Sequence, residues 1–152
     1  MAMGKIYTVR LDALTVISTA RTILEITAAS NRICAIIEAW LTQELSETSQ
    51  QEAVEWVRKS AAGTGTGTAT VLPMEVNQGS AGFTARQNCS AEGTVTDLIG
   101  PRHGFNALSG WFYTPLPESR IVVPPSGILG FRFPVAPASA SWSAGMVVQE
   151  IG

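Results

Sequence analysis

The chain has 152 residues, with ten Lys and Arg against twelve Asp and Glu, a formal net charge of −2 and 14% charged residues. One domain is the natural count at that length. With Lys5 and Lys59 as the only lysines and no basic stripe, binding to a phosphate backbone has little to build on, which argues against a nucleic-acid partner.

The charged fraction is well below the usual ~25%, whereas 14 Gly and 8 Pro suit short strands and tight turns better than a helical bundle. Low charge fits either a surface that a partner covers, because monomers keep exposed apolar patches small, or simply a low-charge soluble domain. No run approaches the ~20 apolar residues of a membrane helix, and hydroxyls break the apolar patch at 13–20. A soluble protein with no membrane partner is expected.

Residues 5–12 alternate, with Tyr7, Val9 and Leu11 on one face and Thr8, Arg10 and Asp12 on the other, which predicts a first strand. The stretch 13–19 either continues it or bends away, and 22–27 is a second short strand closed by a polar turn. Residues 31–43 admit two readings. Ile33, Ile36, Ile37, Trp40 and Leu41 recur at helical spacing, while Ile33, Ala35, Ile37, Ala39 and Leu41 would share one face of a strand. The neighbouring turn-separated strands favour the strand.

The acidic segment 44–52 is expected as an exposed loop, and 53–59 returns as a strand or helix end. The Gly-Thr alternation at 63–68 lacks the Lys-Ser/Thr ending of a phosphate-binding loop, so it reads as flexible sequence. Pro73 marks 71–76 as an extended loop or edge strand. Short strands are expected at 82–88 and 94–99, then a long ordered loop over 100–113. In 111–137 an apolar strand, a Pro-Pro-Ser-Gly turn and a second strand follow one another, with Leu129, Phe131, Phe133 and Val135 on one face. Residues 139–151 form a closing strand with Trp142, Ala144, Met146 and Val148 on one side. About eight strands at this spacing describe an all-β sandwich or jelly roll in a single domain, 1–152.

Reactive constellations are scarce. His103 is the single histidine, too few imidazoles for a cupin-type metal centre. A serine relay would need it beside Asp12 or Asp97, and no nucleophile-elbow motif accompanies them. Glu44, Glu47, Glu52 and Glu55 lie in one charged segment, read as a solvated face. Trp111, Phe112 and Tyr113 offer either a sugar-binding platform or core, with core favoured. Asn88-Cys89-Ser90 fits a glycosylation triplet of a kind common by chance. Cys34 and Cys89 match no ligand spacing and are expected as buried reduced thiols, a single disulfide being the alternative. No catalytic, cofactor-binding or metal-binding residue is assigned, and no enzyme is expected.

One resemblance adds to this. WFYTPLPESR, IVVPPSG and ILGFRFPVAPA, with the final strand ending Val147-Val148-Gln149-Glu150-Ile151-Gly152, are similar to small head decoration, or cement, proteins of tailed bacteriophages. A weaker likeness covers Lys5–Leu11 and Leu24-Glu25-Ile26-Thr27. The resemblance implies a jelly-roll-like β-sandwich that forms a homotrimer on the outer surface of a capsid and bridges major capsid protein subunits. It also leaves residues 1–12 as an intersubunit arm or edge strand. A carbohydrate-binding or tail appendage module is the alternative.

Overall fold

The computed structural model describes residues 4–11, 15–45, 49–65 and 67–152. In chain order the strands are β1 (Lys5–Arg10), β2 (Thr15–Ile17), β3 (Arg21–Thr27), β4 (Ile33–Glu44), β5 (Gln51–Ala61) and β6 (Thr70–Pro73). There follow β7 (Thr84–Gln87), β8 (Thr94–Asn106), β9 (Trp111–Tyr113), β10 (Val122–Val123), β11 (Ile128–Phe133) and β12 (Ala140–Ile151). Pro117–Ser119 makes a single 3-10 turn.

Two antiparallel sheets result. The first has the order β10-β4-β12-β1-β6, with β2 beside β12 and β9 beside β4; the second has the order β7-β3-β11-β5-β8. The pairing is nested: β1 and β2 lie on β12, β3 on β11, β4 on β9 and β10, and β5 on β8. A long antiparallel hairpin rolled up so that successive pairs alternate between sheets is a jelly roll. Counting β1 with β2, and β9 with β10, as single interrupted strands leaves eight in the roll. β6 and β7 are additions, one extending each sheet. The all-β sandwich expected from the sequence is the fold observed.

The core sits between the sheets. β11 is the middle strand of the second sheet and sends Leu129, Phe131 and Phe133 inward. From the first sheet Tyr7, Val9, Trp142, Ala144, Met146 and Val148 meet them, as period-two burial requires. Phe133 packs on Trp142 with ring centroids 5.0 Å apart, and Trp56 lies 5.2 Å from Phe131. Val135 falls beyond the end of β11 and is exposed, so it does not join the buried face.

Three strands depart from simple alternation, each for a physical reason. Residues 33–44 form a strand, as favoured, but Ile37 is an extra residue where the β12 register shifts between Val147 and Val148. That bulge puts Cys34 and Ile36 inward on one side of it and Ala39 and Leu41 inward on the other. In β3, Ile23 is the extra residue opposite Phe131 and Arg132. Thr22 and Glu25 are thereby brought to the same outer face.

In β8 the expected loop over 100–113 is largely strand, running to Asn106. Gly100 at φ 74° and Pro101 form a wide bulge, so that Ile99 and His103 oppose Trp56 and Val54. The expected exposed loop at 44–52 is also shorter, since β4 reaches Glu44 and β5 begins at Gln51; residues 46–48 lie outside the described ones. Pro73 ends the edge strand β6, where a missing N–H costs no ladder bond.

β1 is not an edge strand. It pairs with β12 along Lys5–Arg10 and with β6 along Tyr7–Arg10, so the main chain of the expected intersubunit arm is engaged within its own sheet.

Phe131 touches both sheets' aromatic residues at the centre of the roll. Phe131→Ala should lower unfolding free energy by about 3–5 kcal/mol, the usual cost of an aromatic cavity, read from urea midpoints at unchanged m-value.

Candidate functional site

The outer face of the second sheet carries the most concentrated chemistry of the molecule. Lys59 on β5 is fully buried there, and its ammonium has three donors to satisfy. They go to the Thr22 hydroxyl (2.7 Å), the Glu25 carboxylate (2.7 Å) and the Glu92 carbonyl oxygen (2.6 Å). Glu25 accepts two further contacts from the Gly63 N–H, at 3.1 and 3.2 Å. The Glu92 carboxylate accepts the Thr22 N–H (2.8 Å), the Thr22 hydroxyl (2.6 Å) and Arg132 Nη1 (3.3 Å). Arg132 reaches on to Glu55 at 2.9 Å, and Arg102 meets the other oxygen of Glu55 at 3.2 Å.

Charge therefore alternates from Glu25 through Lys59, Glu92, Arg132 and Glu55 to Arg102. Glu55 stands in the gap that the Gly100–Pro101 bulge opens, which is why a strand residue meets Arg102.

This row has a mechanical job. The chain leaving β5 and the chain returning to β8 run as a ribbon, joined by bridges between Thr64 and Ala91 and between Thr68 and Arg86. The row holds both legs of the ribbon to the sheet through Gly63 and Glu92. At the ribbon's far end Glu150 accepts the Gly82 and Phe83 N–H groups at 2.7 and 3.2 Å. Tyr7 donates its hydroxyl to the Gly79 carbonyl at 2.9 Å, and Glu52 accepts the Ala138 N–H at 2.8 Å. Each of these buried carboxylates is consumed in fixing a loop.

Glu52 and Glu55 are thus not part of a solvated face, contrary to the expectation for the charged segment. Glu44 is exposed as expected, and Glu47 lies outside the described residues. The described residues of the Gly-Thr alternation lie on the outgoing leg of the ribbon, with Gly65 and Gly67 at positive φ, and Thr66 lies outside the described residues. Asn88 and Cys89 belong to its return leg, where their N–H groups donate to the Ile23 and Thr22 carbonyls.

Burial alone would raise the Glu92 pKa, but the Thr22 hydrogen bonds and the Lys59 and Arg132 cations outweigh it and hold the carboxyl below its ordinary value. Burial, with Glu150 nearby, pushes the Cys34 thiol up to about 12. Burial, with Glu25 nearby, pushes Cys89 up to about 11. Both cysteines are free and buried, not joined, and protonated thiols of this kind are poor nucleophiles at neutral pH.

His103 lies on β8 opposite Val54, half-buried, with its ring 6.1 Å from Trp111. Asp97 is on the same strand, roughly 15–20 Å away by strand rise, and Asp12 lies outside the described residues. Among the described residues no three His, Cys, Asp or Glu side chains are grouped to hold a metal.

The aromatic triplet divides. Trp111 is 5% exposed and, with Tyr113, packs on Trp56, while Phe112 is 61% exposed on the opposite face. The three do not form one platform. A groove of about 420 Å³ opens between β5, β8 and the β10–β11 turn, with Arg58, Thr96, Val122, Pro124 and Ile128 in its walls. It offers apolar surface and a guanidinium but no acid–base pair.

Sequence reasoning did not find the buried row, because its members meet only through long-range pairing and the β3 and β8 bulges. Comparison with known protein families, with characterised proteins and with solved structures finds no match to this chain.

Lys59→Met would leave the buried Glu25 carboxylate without its cation and Glu92 with Arg132 alone. Loss of roughly 3–5 kcal/mol is expected, with faster proteolysis of the ribbon, and Lys59→Met/Glu25→Leu should recover part of it. For Glu92 the folded-state pKa is depressed, so its contribution is complete above the ordinary carboxylate range and is lost as pH falls through the folded value. Wild type and Glu92→Gln should differ in melting temperature at neutral pH and converge below that range.

Proposed function

We propose that this chain is a structural virion protein, a decoration protein that binds the outer surface of a phage capsid and braces contacts between major capsid subunits. The observation that carries the reading is the use made of buried charge. In the described residues the buried carboxylates Glu25, Glu52, Glu55 and Glu150 all clamp loops or pair with cations on a jelly-roll frame. Such a frame is stiff, and its chemistry is committed to holding shape.

The resemblance of 110–152 to phage cement proteins supplies the specific role, since a jelly roll alone serves many functions. A brace on a pressurised shell needs area and repeated contacts more than reactivity. Repeated footprints on one oligomer would act together through effective concentration.

The test is to mix the purified chain with undecorated heads assembled from the major capsid protein of the same genome. Saturable co-sedimentation, with added density at symmetric lattice positions in electron micrographs, is expected, together with heads that resist heating better. Heads that stay bare at saturating protein would end the proposal.

A further inference from the structure

The two sheets treat their outer faces differently. The second sheet's is covered by the ribbon and its charged row over β3, β11 and β5, leaving Leu98 of β8 exposed. On the first sheet, part of the outward face is an apolar tract that no described segment covers, flanked by the polar Thr42, Ser143 and Gln149. β4 contributes Ile33 and the half-buried Trp40, β12 contributes Ile151, and Phe112 and Val122 continue the tract onto β9 and β10, with Ala35 and Val147 buried between them. Phe112 and Val122 are 61% and 51% exposed. The indole of Trp40 lies over Gly145, where a Cβ would strike it, so this tryptophan is laid flat on the face and does not project from it. An antiparallel sheet with one face in water ordinarily alternates apolar and polar residues along each strand. At its Ile33–Ala35 end β4 does not, and with Trp40, Phe112 and Val122 this points to an outer face that is buried in use.

The charges on the face indicate the occupant. Arg10 on β1 lies opposite Gly145, and Glu38 on β4 lies opposite Val147, one on each side of β12. Ladder spacing separates them by about 12 Å, and among the described residues neither has a charged partner. One cation and one anion beside the apolar patch, with Glu44 a further anion at the far end of β4, are unsuited to a nucleic acid or an anionic lipid surface, each of which calls for several cations. They do suit a second patch of the same kind, because a two-fold axis lying between them brings each Arg10 to the Glu38 of the other copy.

We propose that the outer face of the β4–β12–β1 sheet is a self-association surface, covered by a second copy of this chain and registered by reciprocal Arg10–Glu38 pairs. This inference is independent of capsid binding, and failure to bind heads would leave it standing.

Sedimentation equilibrium of the full chain at concentrations up to roughly 100 µM, spanning a modest affinity, tests it. Wild type should associate. Arg10→Glu and Glu38→Arg should each weaken association roughly tenfold or more, since each sets like charges face to face, and the double exchange should restore it. Val122→Lys should also weaken it, whereas Leu108→Lys, exposed in the β8–β9 turn, should not. Circular dichroism and melting curves check that each variant is folded. A monomeric wild type would overturn the proposal. So would association that folded single-exchange variants leave unchanged, or that the double exchange fails to recover.

Discussion

The Lys59 ammonium is the point on which the molecule's departure from a bare jelly roll depends. A roll of eight strands would join β5 to β8 by a short hairpin. Here the connection travels across the outer face of the second sheet, adds β6 to one sheet and β7 to the other, and comes back. A connection that long is held by few ladder bonds, so something else must define where it lies. Lys59 does so by taking one acceptor from β3's Thr22, one from Glu25 and one from the returning leg at Glu92.

A buried ion pair adds little net free energy over an apolar pair of the same volume, because desolvation offsets the attraction. Its effect is on selectivity among arrangements. An apolar ribbon could slide along an apolar sheet, whereas displacing this one would strand a carboxylate or the ammonium in a dry site. The alternation of sign out to Arg102 extends the same constraint to β8. The ribbon's position and the β8 bulge are therefore specified together.

Bulges also account for what was and was not legible in the sequence. β1, β11 and β12 are readable because their large inward side chains keep period-two spacing at Tyr7 and Val9, at Leu129, Phe131 and Phe133, and at Trp142, Ala144, Met146 and Val148. β4 gave an equivocal pattern because Ile37 inserts one residue. The inward set Cys34, Ile36, Ala39 and Leu41 then contains a step of three, and with an apolar outer face added the spacing imitates a helix. β8 was read as strand only as far as Ile99, because Gly100 and Pro101 are ordinarily turn residues, yet here they bend a strand that continues.

Carboxylates were harder still. Nothing local in 44–55 distinguishes exposed Glu44 from buried Glu52 and Glu55. The difference is made by Ala138, Arg132 and Arg102, some 47 to 86 residues away in sequence.

The edges of the two sheets narrow the ways this chain can meet another. β7 is four residues long, and β6 is equally short and ends at Pro73. β8 is long, but it is broken by its bulge and carries Asp97 and Arg102. β10 offers two residues. Short, bent and charged edges resist strand-to-strand addition, so main-chain pairing with a neighbour is disfavoured on every side. Of the two faces, most of the second sheet's is closed by its own ribbon, with Leu98 of β8 left exposed. What remains for contact over a wide area is side-chain packing on the first sheet. There the sequence places tryptophan, phenylalanine and branched aliphatic residues where a solvated sheet would carry threonine and lysine.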